Sequence, residues 1–199
     1  MTQQYSDAER NAEGQARIGA IGINAQIRIL SGAIPANVAA AETGTLLAQF
    51  AGNATQYGTV ATGIITTSAV ANTTASAAGT AGYYRIRTSA GLAISQGTVY
   101  QRVTIATNAL SAANSNVLNF AATTGVVVGM EINSGTGIVE GTKVIAVTGT
   151  TVTMSQATTA GVASAASIVF GGDMTFDNAT FALNQTLTLT SRTEKMAGA

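Results

Sequence analysis

The sequence predicts an all-β chain: a β-sandwich or jelly-roll-like domain with a short N-terminal helix and a small inserted β-module. Three observations predict it. Short runs rich in Val, Ile and Thr alternate apolar and polar residues, as in Gln26-Ile27-Arg28-Ile29-Leu30 and Tyr83-Tyr84-Arg85-Ile86-Arg87. Gly, Asn and Ser punctuate these runs at close intervals. One segment alone, at the N-terminus, carries helix caps.

That helix begins at Ser6, whose spacing to Glu9 forms a capping box. Asp7 and Glu9 suit the positive helix end, and Glu13 with Arg17 is a favourable i,i+4 pair. Gly22 is placed to end it. Ala8, Ala12, Ala16 and Gly19 form a stripe of small residues, with Ile18 and Ile21 near the end. So thin an apolar face needs a partner surface, on the same chain or on a neighbouring subunit.

Strands are expected at 26–30 and 45–50, with the only proline, Pro35, in the loop between them. Another is expected near 60–66. Tyr83 to Arg87 and 92–96 read as a hairpin about Ser89-Ala90-Gly91, and 98–105 continues extended. Residues 108–170 read as a separate small β-module. Its strands include 143–147 and 151–155, joined by the tight turn Thr148-Gly149-Thr150, and it ends with 167–170. Residues 1–107 and 171–199 then form one discontinuous domain. In 185–190, Leu187 and Leu189 fall on one face and the threonines on the other.

Composition narrows function. Of 199 residues only 9% are charged, with nine basic balancing nine acidic, against about 25% in a typical domain. A nucleic-acid partner would need a basic face, and there is no such excess. Every apolar run is interrupted before membrane-spanning length, so no membrane partner is expected. The polar start, MTQQYSDAER, does not read as a secretory leader. There is no His, Cys or Trp, which excludes His- and Cys-based triads, His/Cys zinc sites and disulfides. From Thr43 to Tyr84 and from Val144 to Gly172 no residue is charged. Charge depletion of this kind is expected of a surface that meets other subunits or of a Thr/Ser/Asn-coated face of a durable assembly; the alternative is a monomer with an uncharged polar skin.

Several segments outside the module resemble a family of small virion proteins of tailed bacteriophages. They are Tyr5-Ser6 with Arg10-Asn11 and Ile18-Gly19; Ile27-Arg28-Ile29-Leu30-Ser31-Gly32-Ala33 with Pro35; Thr43-Gly44-Thr45-Leu46-Leu47-Ala48; Gly79-Thr80-Ala81 with Tyr84-Arg85-Ile86; Gln96-Gly97-Thr98-Val99; and Gly172-Asp173-Met174-Thr175-Phe176-Asp177-Asn178. The module is similar to a β-unit that recurs in phage surface proteins, through Val128-Gly129-Met130, Gly135-Thr136-Gly137-Ile138 and Gly149-Thr150-Thr151-Val152. Each motif is short and made of common residues; their order is the more specific feature. The resemblance implies a non-enzymatic virion role. The expectation is a capsid decoration, or cement, protein on the outer surface of the head, assembled in the host cytoplasm. Its expected partners are the major capsid protein and copies of itself. The alternative is a neck, tail or fibre component whose module binds a host receptor or glycan, although the module offers only Phe120 and Phe170 as a sugar-stacking platform.

Candidate sites are few. Asp173 and Asp177, four residues apart, would lie about 13 Å apart on an extended segment, too far for a retaining glycosidase pair. With Asn178 they supply too few oxygens for calcium, and Asp177-Asn178 reads as a turn. Glu131 and Glu140 read as surface-turn residues. The glycines of 135–141 lack the Gly-Lys-Ser/Thr of a phosphate loop. No catalytic residue, cofactor or metal is expected. The interaction candidates are Tyr5, Arg10, Arg17 and Ile18 on the helix, Arg192 in the tail, and the row Tyr83, Arg85 and Arg87 on one strand face. That row either grips a neighbour's carboxylates or is a solvated strand face.

Overall fold

The computed structural model of the chain describes residues 5–132, 135–189 and the backbone of 193–195. The fold is all-β with one short N-terminal helix. The chain forms two compact units: residues 1–97 with 180–199, and residues 98–179. No described helix is long and apolar enough to cross a membrane.

The first unit opens with helix α1 (Asp7–Ile21). The Ser6 hydroxyl caps it, accepting the Glu9 N–H at 3.2 Å. Gly22 ends it at φ +71°, donating its N–H to the Ile18 carbonyl at 2.9 Å. Strands β1 (Gln26–Ser31), β2 (Leu46–Ala51), β3 (Tyr57–Ala61), β4 (Ile64–Thr67), β5 (Thr73–Thr74), β6 (Gly79–Arg87) and β7 (Ala93–Gln101) follow. β1 is flanked antiparallel by β2 and β6. Registers Ile27–Phe50, Ile27–Ile86 and Ile29–Ala48 place these side chains on one face of the sheet, and all are buried. The opposite face carries Arg28 across from Arg85, and Leu30 across from Tyr83.

The single strand expected near 60–66 is a hairpin, β3 with β4. Its turn holds Thr62 and Gly63 at φ +50° and +77°, the left-handed pair of a tight hairpin turn. Helix α1 packs on this hairpin. Gly14 is buried against Val60, and Asn11 Oδ1 accepts the Gly63 N–H at 2.9 Å. The partner surface of the helix is therefore its own unit. On the inner side Gly14 and Ile21 are buried and Asn11 and Ile18 half-buried, while Ala8, Ala12, Ala16 and Gly19 are exposed.

The second unit continues from the end of β7 through β8 (Val103–Ala106), β9 (Val117–Asn119), β10 (Glu131–Ile132), β11 (Val144–Val147), β12 (Thr151–Met154), β13 (Ser167–Gly171) and β14 (Met174–Phe176). Two three-stranded sheets, β10-β13-β8 and β11-β12-β9, enclose its core. Leu118, Phe120, Met130, Val152, Ile168 and Phe170 lie at its centre, with Phe120 and Phe170 edge to face at 5.8 Å. Buried threonines close the loops by donating to backbone carbonyls: Thr107 to Ala163 at 2.7 Å and Thr158 to Ala112 at 2.9 Å. β14 runs parallel to Val99–Gln101 of β7.

The chain returns to the first unit as β15 (Thr180–Phe181), β16 (Thr186–Leu187) and β17 (Thr193–Lys195), which pair with β6, β5 and β4. Of the strand expected over 185–190, residues 185–189 are described, and among them Thr186–Leu187 form a ladder. Leu187 is buried and Leu189 half-buried, as the alternation requires.

Candidate functional site

From Ile18 to Gln101 the chain has four charged residues: Arg28, Glu42, Arg85 and Arg87. All four meet on the face of β1 and β6 opposite the Ile27–Ile86 core. The face is only partly open to water, because the loop 33–43 covers Tyr83 and Arg85, while Arg28, Glu42 and Arg87 stay partly exposed. Loop closure is local: Thr43 Oγ1 donates to the Ala33 carbonyl at 2.8 Å, and Asn37 Oδ1 accepts the N–H groups of Ala39 and Ala40.

The loop is pinned to the sheet by the same strand row singled out above. The Tyr83 hydroxyl accepts the Thr43 N–H at 2.9 Å and donates to the Thr43 carbonyl at 2.8 Å. Arg85 Nη1 donates to the Ala40 carbonyl at 2.8 Å, and its Nη2 to Gln96 Oε1 at 2.6 Å. Gln96 Nε2 in turn donates to the Pro35 carbonyl at 2.7 Å. Arg87 Nε donates to the Gly91 carbonyl at 2.6 Å. Glu42, the one acid present, lies 3.0 Å from Arg28 Nη1 and 3.7 Å from Arg87 Nη1. Tyr83 is 0% and Arg85 3% exposed, which overturns the solvated-face alternative for these two, whereas Arg87 is half-buried. A cavity of about 430 Å³ opens beside the cluster, lined by Glu42, Arg85 and Arg87 together with Val38, Leu92 and Ala93.

The helix candidates lie elsewhere in the unit. Arg10 pairs with Asp7 one turn earlier. Arg17 donates to Ser95 Oγ at 3.3 Å. Tyr5 and Ile18 are half-buried. Arg192 lies outside the described residues. In the second unit the carboxylate pair is split between two tasks. Asp173 Oδ2 accepts the N–H and hydroxyl of Thr98 at 2.7 and 2.9 Å, whereas Asp177 is exposed and 3.6 Å from Arg102. Glu131 is on β10, 3.5 Å from Lys143, rather than in a turn. Among the described residues no three acidic side chains converge.

Arg28, Glu42 and Gln96 are the members of the cluster that sequence reasoning passed over. Two signals pointed to Arg28 and Glu42, and none to Gln96. The alternation of β1 puts Arg28 on the face opposite Ile27, and Glu42 is the only acid between Glu13 and Glu131. No family model matches the chain, and no curated protein or solved structure is detectably similar to it.

Proposed function

We propose that the chain is a non-enzymatic structural protein of a tailed-bacteriophage virion. In this reading it is a decoration, or cement, protein on the outer surface of the head, bridging major capsid subunits and copies of itself. The observation that carries the reading is where the charge goes. Only 9% of residues are charged, and four of them are turned onto one roofed sheet face. The surface is thus poorer in charge than the composition suggests. It also bears exposed Ile23, Leu92, Leu110, Val128, Ile145 and Leu183. A monomer in free solution favours the opposite arrangement, with charge outside and few large apolar side chains exposed. The ordered motifs that resemble small phage virion proteins support the same reading.

The mechanism is passive: buried apolar and hydrogen-bonded area bridges neighbouring subunits against the pressure of packaged DNA. The exposed Ala8, Ala12, Ala16 and Gly19 stripe of α1 is the proposed contact, since small residues let a partner backbone approach closely. The glycan-binding alternative has less behind it, because Phe120 and Phe170 are both fully buried. Co-sedimentation of the purified chain with heads that lack it tests the proposal. Saturable binding supports it; heads that sediment free of the chain contradict it.

A further inference from the structure

The charges that meet under the loop 33–43 do not balance. Three guanidinium groups lie on a face with one carboxylate, and Glu42 pairs with Arg28 at 3.0 Å and with Arg87 at 3.7 Å. Arg85 is 3% exposed, yet the acceptors bonded to it, the Ala40 carbonyl and Gln96 Oε1, are both neutral. Its Nε is buried with no hydrogen-bond partner. A cation taken out of water calls for a counter-charge as well as neutral acceptors. We propose that the cavity lined by Arg85 and Arg87 is a binding site for a monocarboxylate with a short aliphatic stem.

The geometry selects that class. Each Nη group of Arg85 already donates one hydrogen bond within the protein, and Arg87 uses its Nε on Gly91. The Nη1 and Nη2 edge of Arg87 makes no hydrogen bond among the described residues: Glu42 Oε1, 3.7 Å from Nη1, is close enough for an ion pair but beyond hydrogen-bond reach. One such edge matches one carboxylate in a two-bond fork. Glu42 also lines the cavity, and its charge opposes a dianion such as phosphate more strongly than a monocarboxylate. Val38, Ala93 and the 66%-exposed Leu92 supply an apolar wall for the stem. The carboxylate belongs either to a free small acid or to an acidic side chain of another polypeptide. The site does not depend on whether the chain coats a head.

Thermal-shift and calorimetric titrations of the full chain test this. The probes are sodium butyrate, butanol, sodium chloride at matched ionic strength, sodium phosphate, and a capped tripeptide with a central glutamate. Saturable stabilisation by butyrate or the capped peptide is expected, with no effect from butanol or chloride. Arg87→Gln is expected to weaken that binding at least tenfold. A capped peptide that binds at least tenfold tighter than butyrate identifies a polypeptide side chain as the source; otherwise the source is a free acid. Equal responses to butyrate and chloride, tighter binding of phosphate, or unchanged binding by Arg87→Gln overturns the proposal. Should Arg87→Gln fail to fold, the wild-type contrast between butyrate and butanol decides.

Discussion

Tyr83 holds Thr43 through both of its backbone groups, accepting the N–H and donating to the carbonyl through one hydroxyl. The two residues are 40 positions apart, so this contact fastens the far end of the loop 33–43 to the sheet. Tyr83→Phe keeps the buried ring and removes both bonds. The expected cost is about 1–2 kcal/mol, read as a lower urea midpoint. Faster proteolytic cleavage within 33–43 is expected as well. A loop no more cleavable than in the wild type would mean the hydroxyl does not hold it.

Gly14 is the close-approach point of helix α1. A Cβ built there would lie 2.6 Å from Val60 Cγ1, so a side chain forces the helix off the hairpin or displaces Val60. Gly14→Val is expected to destabilise by about 1–3 kcal/mol. The pair Gly14→Ala and Val60→Ala should couple favourably, since each makes room for the other. A double-mutant cycle by chemical denaturation measures this; strict additivity would contradict the packing.

Thr62 holds a left-handed backbone, at φ +50°, that a β-branched residue adopts at a cost. Thr62→Asn is expected to stabilise the β3–β4 hairpin by about 1 kcal/mol, seen as a rise in Tm. An unchanged or lower Tm would mean that the Thr62 hydroxyl bond to the Ala61 carbonyl, at 2.8 Å, outweighs the strain.

If the exposed stripe of α1 is the contact proposed above, folding and attachment can be separated there. Ala12→Arg with Ala16→Arg changes side chains on the face away from the hairpin. Stability is expected to stay within about 0.5 kcal/mol of wild type. Binding to heads, followed by co-sedimentation, is expected to be lost. Deletion of residues 1–22 is a poorer probe, since it also removes the buried Gly14 and Ile21.

What could be read from the sequence followed the strength of each local signal. The helix declared both ends through Ser6 and Gly22. Strand β1 declared its buried face through Ile27 and Ile29. The β3–β4 hairpin was hidden because Thr62-Gly63 is not one of the usual turn pairs, so two short strands read as one. The arginine row was legible as a row, with Tyr83, Arg85 and Arg87 on one face. Its surroundings were not, because the roof is an irregular loop with no periodicity. Nothing local shows that Pro35, Ala40 and Thr43 fold back over β6; those contacts span 40 to 61 residues.

The central claim is that this chain coats a head. The most direct test is its copy number per particle, by quantitative mass spectrometry of purified virions against the major capsid subunit. The account predicts copies equal to that subunit or a simple fraction of it. A handful of copies per particle would contradict a shell-wide role and move the chain to the neck or tail.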